Sequence, residues 1–376
     1  MRRLWRGATI FDGTALHEGC VLSTVGDRVD AIAPDTGQRA DFEVELPGGI
    51  LCPGFIDLQV NGGGGALLGQ GNPADALRQI LEAHRGLGAT GILPTLITAD
   101  ASTTCAVLEA AAQIDHPAFL GLHLEGPHLD PRRCGAHDPA LIRAMTEADL
   151  DLYCAAARRL PALLITLAPE SASADQIRTL VRAGVRVSLG HSDATLDEAR
   201  AAMAAGADIV THLFNAMSPL THRAPGLVGA ALDGDCWIGI IPDGVHVDAA
   251  AFRIAHRAAQ GRMFAVSDAM AVAGSELTAF TLNGRLIQRA GGRLTLADGT
   301  LAGADIDLAG ALRWMVTQAG LPLTEALAMT SALPARVLGL GDRGHLSPGA
   351  RADLVHLGAD FALHGVWQGG TRIKRS

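Results

Sequence analysis

Phe119-Leu120-Gly121-Leu122-His123-Leu124-Glu125 is a short, largely apolar run that stops on a carboxylate. Its length suits a strand better than a helix, and so apolar a strand is one buried on both faces, as in a parallel sheet. Seven further runs of this kind lie at 54–60, 90–96, 162–168, 185–190, 207–211, 237–241 and 263–267. Residues 73–88, 101–114, 196–205, 249–259 and 306–318 repeat the apolar spacing of helix faces. This alternation predicts an α/β fold, a (β/α)8 TIM-type barrel. Groups at the C-terminal ends of such strands converge on one mouth. Glu125 ends the third run, His191 the fifth, His212 the sixth and Asp268 the eighth, so all four are expected there.

Both flanks of the barrel read differently. Short β-like pieces at 8–11, 21–25, 29–32 and 42–46 precede it, and 353–357, 365–367 and 369–373 follow it, with Gly, Asp and Pro turn signals between them. We expect a small β-sandwich domain built from 1–52 and 345–376, with the catalytic barrel at 53–344 inserted between them. A chain of 376 residues accommodates both.

Composition narrows the function. The net charge is −9 with aromatics at 4%, and no basic cluster interleaves with aromatics, which argues against nucleic acid as a partner. No apolar stretch reaches the roughly 20 residues that span a bilayer, and Phe11-Asp12-Gly13 stands where a signal peptide would carry an apolar segment. Six cysteines without tight pairing suit a reduced, cytoplasmic protein. Lys374 is the one lysine, so the barrel has none to carbamylate as a bridge between two metals.

Two imidazoles and a carboxylate, with a fourth position open to water, make a catalytic zinc set, and Glu125, His191 and His212 fit it. The same donors also suit iron, manganese or cobalt, and zinc is the default. Asp268 reads either as a general base acting on metal-bound water or as a helix N-cap. His137 reads either as a donor to an oxyanion or as a solvated loop residue. Gly62–Gly65 lacks the residues that complete a nucleotide cradle, and Cys134 has no base specified beside it.

Beyond these, Pro53-Gly54-Phe55-Ile56-Asp57-Leu58-Gln59-Val60-Asn61-Gly62, His123-Leu124-Glu125-Gly126-Pro127-His128 and Gly135-Ala136-His137 occur in order. Gly190-His191-Ser192-Asp193-Ala194-Thr195, Thr211-His212-Leu213-Phe214-Asn215-Ala216-Met217, Asp243-Gly244-Val245-His246 and Ser267-Asp268-Ala269 follow. The chain thereby resembles the N-acetylglucosamine-6-phosphate deacetylases of the amidohydrolase superfamily over nearly its whole length. The resemblance implies hydrolysis of the acetamide of N-acetylglucosamine 6-phosphate, with one divalent ion on Glu125, His191 and His212, Asp268 as acid and base, and His137 polarising the carbonyl. It also implies a homodimer, sugar contacts from Asn215, Ala216 and His246, and a phosphate contact from Arg223, made either in its own subunit or across the dimer. Gln59-Val60-Asn61 stands where many amidohydrolases carry His-x-His, so the resemblance is to the single-metal branch, with Gln59 and Asn61 left as water-mediated contacts to any second ion. Ala224 after Arg223 departs from the family form, which has Glu there. Deacetylation of N-acetylgalactosamine 6-phosphate or of another N-acyl compound, or a non-catalytic sugar-phosphate sensor, are the alternatives.

Overall fold

In the computed structural model, residues 1–373 are described; Lys374 and the two residues after it lie outside them. Eight parallel strands form one sheet in sequential order: β1 (Phe55–Val60), β2 (Ala89–Ile97), β3 (Leu122–Glu125), β4 (Leu163–Leu167), β5 (Arg186–Leu189), β6 (Ile209–Val210), β7 (Trp237–Ile240) and β8 (Met263–Ala265). Every residue of β1, β3 and β4 is buried, as their unbroken apolar character requires. The sheet curls round until a parallel bridge joins Val60 to Ala269. There the Asp268 N–H donates to the Gln59 carbonyl at 3.1 Å and the Asn61 N–H to the Ala269 carbonyl at 2.8 Å. All eight strands expected from the sequence are present, so the barrel is closed in the order read along the chain.

Helices Pro73–Gly86, Ala101–Ala111, Leu196–Ala204, Ala249–Ala259 and Leu308–Thr317 occupy the expected stretches. Glu147–Ala157 and Ala174–Arg182 are additional, and each starts on a capping box, Thr146 with Asp149 and Ser173 with Gln176. Those side chains satisfy backbone N–H groups that a first helical turn leaves unpaired. Among the described residues no helix is long and apolar enough to cross a membrane.

Two compact units divide the chain: Met1–Asp57 with His84–Gly91 and Asp307–Ser376, and Leu58–Ala83 with Ile92–Ile306. The first contains two sheets. Arg28–Pro34, Cys20–Val25, Arg2–Arg6 and Phe42–Glu45 form one; Thr371–Arg372, Leu363–Gln368, Leu354–Leu357, Ile50–Pro53, Thr9–Phe11 and Leu16–His17 form the other. Trp5, Leu22 and Val29 from one sheet pack with Ile10, Leu51, Leu354 and Trp367 from the other, a sandwich core closed by the edge-on pair Trp5–Trp367 at 6.5 Å. Residues 307–344, placed with the barrel in the sequence reading, belong to this unit. The links are local: the Arg28 guanidinium donates to the Asp342 carboxylate at 2.6 Å, that of Arg343 to Asp353 at 2.6 Å, and the Arg351 N–H to the Asp342 carbonyl at 2.9 Å.

The second unit carries a feature absent from the sequence reading, an antiparallel sheet of Ala279–Leu282, Arg285–Ala290, Arg293–Thr295 and Leu301–Ala304 after β8. Asn283-Gly284, Gly291-Gly292 and Asp298-Gly299 make its turns, dipeptides that favour hairpins. Its inner face joins Leu282, Ile287, Leu294 and Ala302 to Leu67, Met270 and Val272 beside the barrel mouth.

Candidate functional site

Each rim residue follows or ends a strand, and three of them stand where the backbone leaves the sheet. His191, His212 and Asp268 have φ of 48°, 29° and 48°, and Ala216 has 50°. Side-chain-bearing residues avoid this region at a cost of order 1–3 kcal/mol each, and such residues gather at functional sites. Glu125, the last residue of β3, points into the same mouth.

His191 Nε2 lies 3.2 Å and His212 Nε2 3.0 Å from Glu125 Oε1, and the two nitrogens are 3.1 Å apart. Tetrahedral ligands at about 2.0–2.1 Å from an ion stand about 3.3 Å from one another, so the spacing fits one metal ion. The proton positions fit as well. The Arg133 carbonyl accepts a hydrogen bond from His191 Nδ1 at 2.8 Å, which leaves the Nε2 lone pair facing inward. Arg133 is itself held by Asp193, with Nε and Nη2 donating to Oδ1 at 2.8 and 2.6 Å. Glu125, His191 and His212 are all buried, and no other group of three such donors was found among the described residues. Burial alone would raise the Glu125 carboxyl, but the facing His191 and His212 outweigh it and hold Glu125 well below the ordinary carboxylate range. For His212 burial lowers the pKa and the bond to Glu125 raises it, with a net rise, so the triad draws positive charge.

Asp268 is buried beside this triad. Burial first, and the Glu125 charge second, push its carboxyl up to about 6. Asn61 Nδ2 donates to Asp268 Oδ1 at 2.7 Å and Gln59 Nε2 to Glu125 Oε1 at 2.9 Å. Gln59 and Asn61 thus meet the two site carboxylates directly. His137 arrives on the loop after β3, its ring 4.4 Å from that of His191, with Gly135 packed against the His191 Cε1 side. Burial, then the His191 charge, lower His137 to about 3, so it is a neutral imidazole under ordinary conditions. His137 Nδ1 lies 2.8 Å from Thr98 Oγ1.

A cavity of 240 Å³ opens over these groups, with Asn61, Glu125, His137, His191, His212 and Asp268 on its floor and wall. Asn215, Ala216 and His246 also line it. His246 Nδ1 donates to Asp243 Oδ2 at 2.6 Å, which turns Nε2 to the other side of the ring. Burial alone would raise Asp243, but its bond to His246 outweighs this and keeps it low. Arg223 is the exception among the residues singled out from sequence. It lies on an exposed loop and is not among the cavity residues of its own chain. Thr98, Arg133, Met270, Leu282 and residues 300–303 take part without having been singled out. The Asn-Gly, Gly-Gly and Asp-Gly turns were the one available signal for the cavity wall after β8.

Comparisons with known proteins give the family. The Amidohydrolase family pattern matches residues 50–373. The chain is 41% identical over 330 residues to an N-acetylgalactosamine-6-phosphate deacetylase of Shewanella sp. (strain ANA-3), covering 86% of this chain and 83% of that protein. It is 35% identical over 349 residues to the N-acetylglucosamine-6-phosphate deacetylase of Haemophilus influenzae, covering 91% of each. The solved structure of N-acetylglucosamine-6-phosphate deacetylase from Pasteurella multocida superposes with a TM-score of 0.95 at 34% identity, covering 99% of this chain and 100% of that one.

Proposed function

The chain belongs to the amidohydrolase family, and from that premise we propose that it hydrolyses the acetamide of N-acetylglucosamine 6-phosphate to glucosamine 6-phosphate and acetate. The observation that carries this reading is the meeting of Glu125, His191 and His212 with Asp268 and His137 in one cavity. These residues fit one divalent ion, with zinc the default and iron, manganese or cobalt suited by the same donors. When bound, the ion would supply Lewis-acid polarisation of the carbonyl and an acidified water as nucleophile.

The remaining work belongs to the side chains. Asp268, with Oδ1 tied to Asn61, has Oδ2 left to take a proton from the attacking water. It then gives that proton to the departing nitrogen, so that water and amide become acetate and amine. The sensor alternative would not need a carboxyl placed and shifted in this way. His137 donates to the carbonyl oxygen as negative charge builds on it. Asn215, Ala216 and His246 hold the sugar. Arg223 binds phosphate through its planar fork, and its position on an exposed loop supports a contact made across a homodimer. We place the enzyme in the cytoplasm, in keeping with six free cysteines.

The galactosamine isomer is a second reading, favoured by the 41% identity to the Shewanella protein. Amine release from both N-acetylhexosamine 6-phosphates, before and after chelation and with each metal restored, tests both. Turnover of the glucosamine isomer at least tenfold above its epimer supports the first reading, and the reverse ratio selects the second. No turnover of either with any metal sinks both.

A further inference from the structure

Strand β2 ends at Ile97, and the next residue, Thr98, is 2% exposed and turned toward His137. Its backbone N–H donates to His137 Nδ1 at 3.3 Å, and its Oγ1 lies 2.8 Å from the same nitrogen. A backbone N–H can only donate. His137 Nδ1 therefore presents its lone pair, and the neutral ring carries its hydrogen on Nε2. Nε2 is the nitrogen that faces the triad, 3.8 Å from Glu125 Oε2. The hydroxyl is confined on its far side by Gly126, where an added Cβ would come within 2.3 Å of Oγ1. Its other neighbour is the Glu125 carbonyl oxygen at 3.4 Å, a much longer contact.

We propose that Thr98 is the positioning residue that fixes His137 as the Nε2–H tautomer, so that a substrate carbonyl meets a hydrogen-bond donor and not a lone pair. The wrong tautomer would repel the carbonyl oxygen as its negative charge grows. The catalytic consequence rests on the deacetylase reading; the tautomer does not. Both Thr98 groups are needed, because the backbone bond alone is the longer of the two and leaves the ring free to rock.

The test uses metal-loaded wild type, Thr98→Val and Thr98→Ser with 15N-labelled histidine, and His137→Asn to assign the ring signals. In wild type and Thr98→Ser the His137 ring shows a protonated Nε2 and a bare Nδ1. In Thr98→Val those signals broaden or average, and kcat falls by about 10- to 100-fold while KM stays within about threefold. A Thr98→Val protein with the wild-type ring pattern overturns the inference whatever its kcat. So does a Thr98→Ser protein as slow as Thr98→Val, since packing of the methyl would then be what matters. If wild type cleaves neither sugar, the deacetylase reading fails while the ring signals still decide the role of Thr98.

Discussion

Asp268→Asn separates function from stability at one position. The carboxyl is raised from 3.8 to about 6, by burial first and by the Glu125 charge second. An acid raised on folding costs stability once pH exceeds its unfolded value, and the full cost is present above its folded value. About two pKa units correspond to about 3 kcal/mol. Unfolding entropy near 2.1 cal/mol/K per residue gives about 0.8 kcal/mol/K for this chain, so the shift is worth about 4 °C in Tm. Asn cannot ionise, and its Oδ1 still accepts the Asn61 bond. The metal-free variant should therefore melt about 4 °C above metal-free wild type at pH 8, with the gap closing between about pH 6 and 4. Loaded with metal, the same variant should keep its ion and lose about two or more orders of magnitude in turnover. Thermal melts across that pH range, metal analysis and amine release measure all three. Turnover within tenfold of wild type would remove Asp268 from the proton path, and a gap independent of pH would refute the buried-charge account.

Glu125→Gln should lose the ion: at one hundred times Kd, zinc should stabilise wild type by about 2.7 kcal/mol and the variant negligibly, and equal melting shifts would exclude Glu125 as a ligand. Arg223→Ala should raise KM at least tenfold for the phosphorylated sugar and little for the unphosphorylated one. Mixing inactive Asp268→Asn with Arg223→Ala should recover activity through the hybrid dimer that holds one intact site, whereas no recovery would place Arg223 in its own subunit's site. Asp149 accepts two hydrogen bonds from the Arg143 guanidinium and caps the helix Glu147–Ala157. Burial would raise its carboxyl, but Arg143 and Thr146 outweigh this and depress it, so its stabilisation is present above the unfolded value and lost as pH falls below about 4. Asp149→Ala should cost about 2 kcal/mol at pH 7, with the cost starting to shrink below about pH 4 and disappearing only as pH falls through the depressed folded-state value, by denaturant unfolding, and a loss unchanged from pH 7 down to about pH 1 would sink the ion-pair account.

What the sequence made legible followed from one regularity: a buried strand has no reason to finish on a charge. Glu125, His191, His212 and Asp268 broke that rule at strand ends, and the barrel brings strand ends together. Groups that act through the backbone left no such mark. The Arg133 carbonyl orients His191 and the Thr98 N–H orients His137, and every residue has a carbonyl while nearly every residue has an N–H. Strand Arg2–Arg6 was hidden for another reason. Three of its five residues are arginine, while only Leu4 and Trp5 are buried, so its composition reads as a basic terminus. Arg223 differs again: it is exposed and outside the cavity lining of its own chain, and the contact proposed for it across subunits would not be contained in one chain's fold.

Gln59 and Asn61 bear directly on the proposal that this site takes one ion. Glu125 and Asp268 are acceptors when ionised, so the amide atoms facing them are the N–H ends. An N–H end offers no lone pair to a cation. Two histidines in those places would have offered lone pairs and left both carboxylates in need of further positive charge. Here each carboxylate already accepts a hydrogen bond, with N···O of 2.7 to 2.9 Å, from an uncharged amide. That partly compensates Asp268, whose carboxyl in the metal-free site stays raised, at about 6. A second cation beside Asp268 would stabilise the ionised form and depress that value, weakening it as a base. Replacing Asn61 with histidine should therefore trade proton transfer for metal binding, with a second equivalent of ion retained on dialysis and the acid limb of kcat moved to lower pH. Retention of one equivalent with an unmoved limb would show that the amide is not what excludes the second ion.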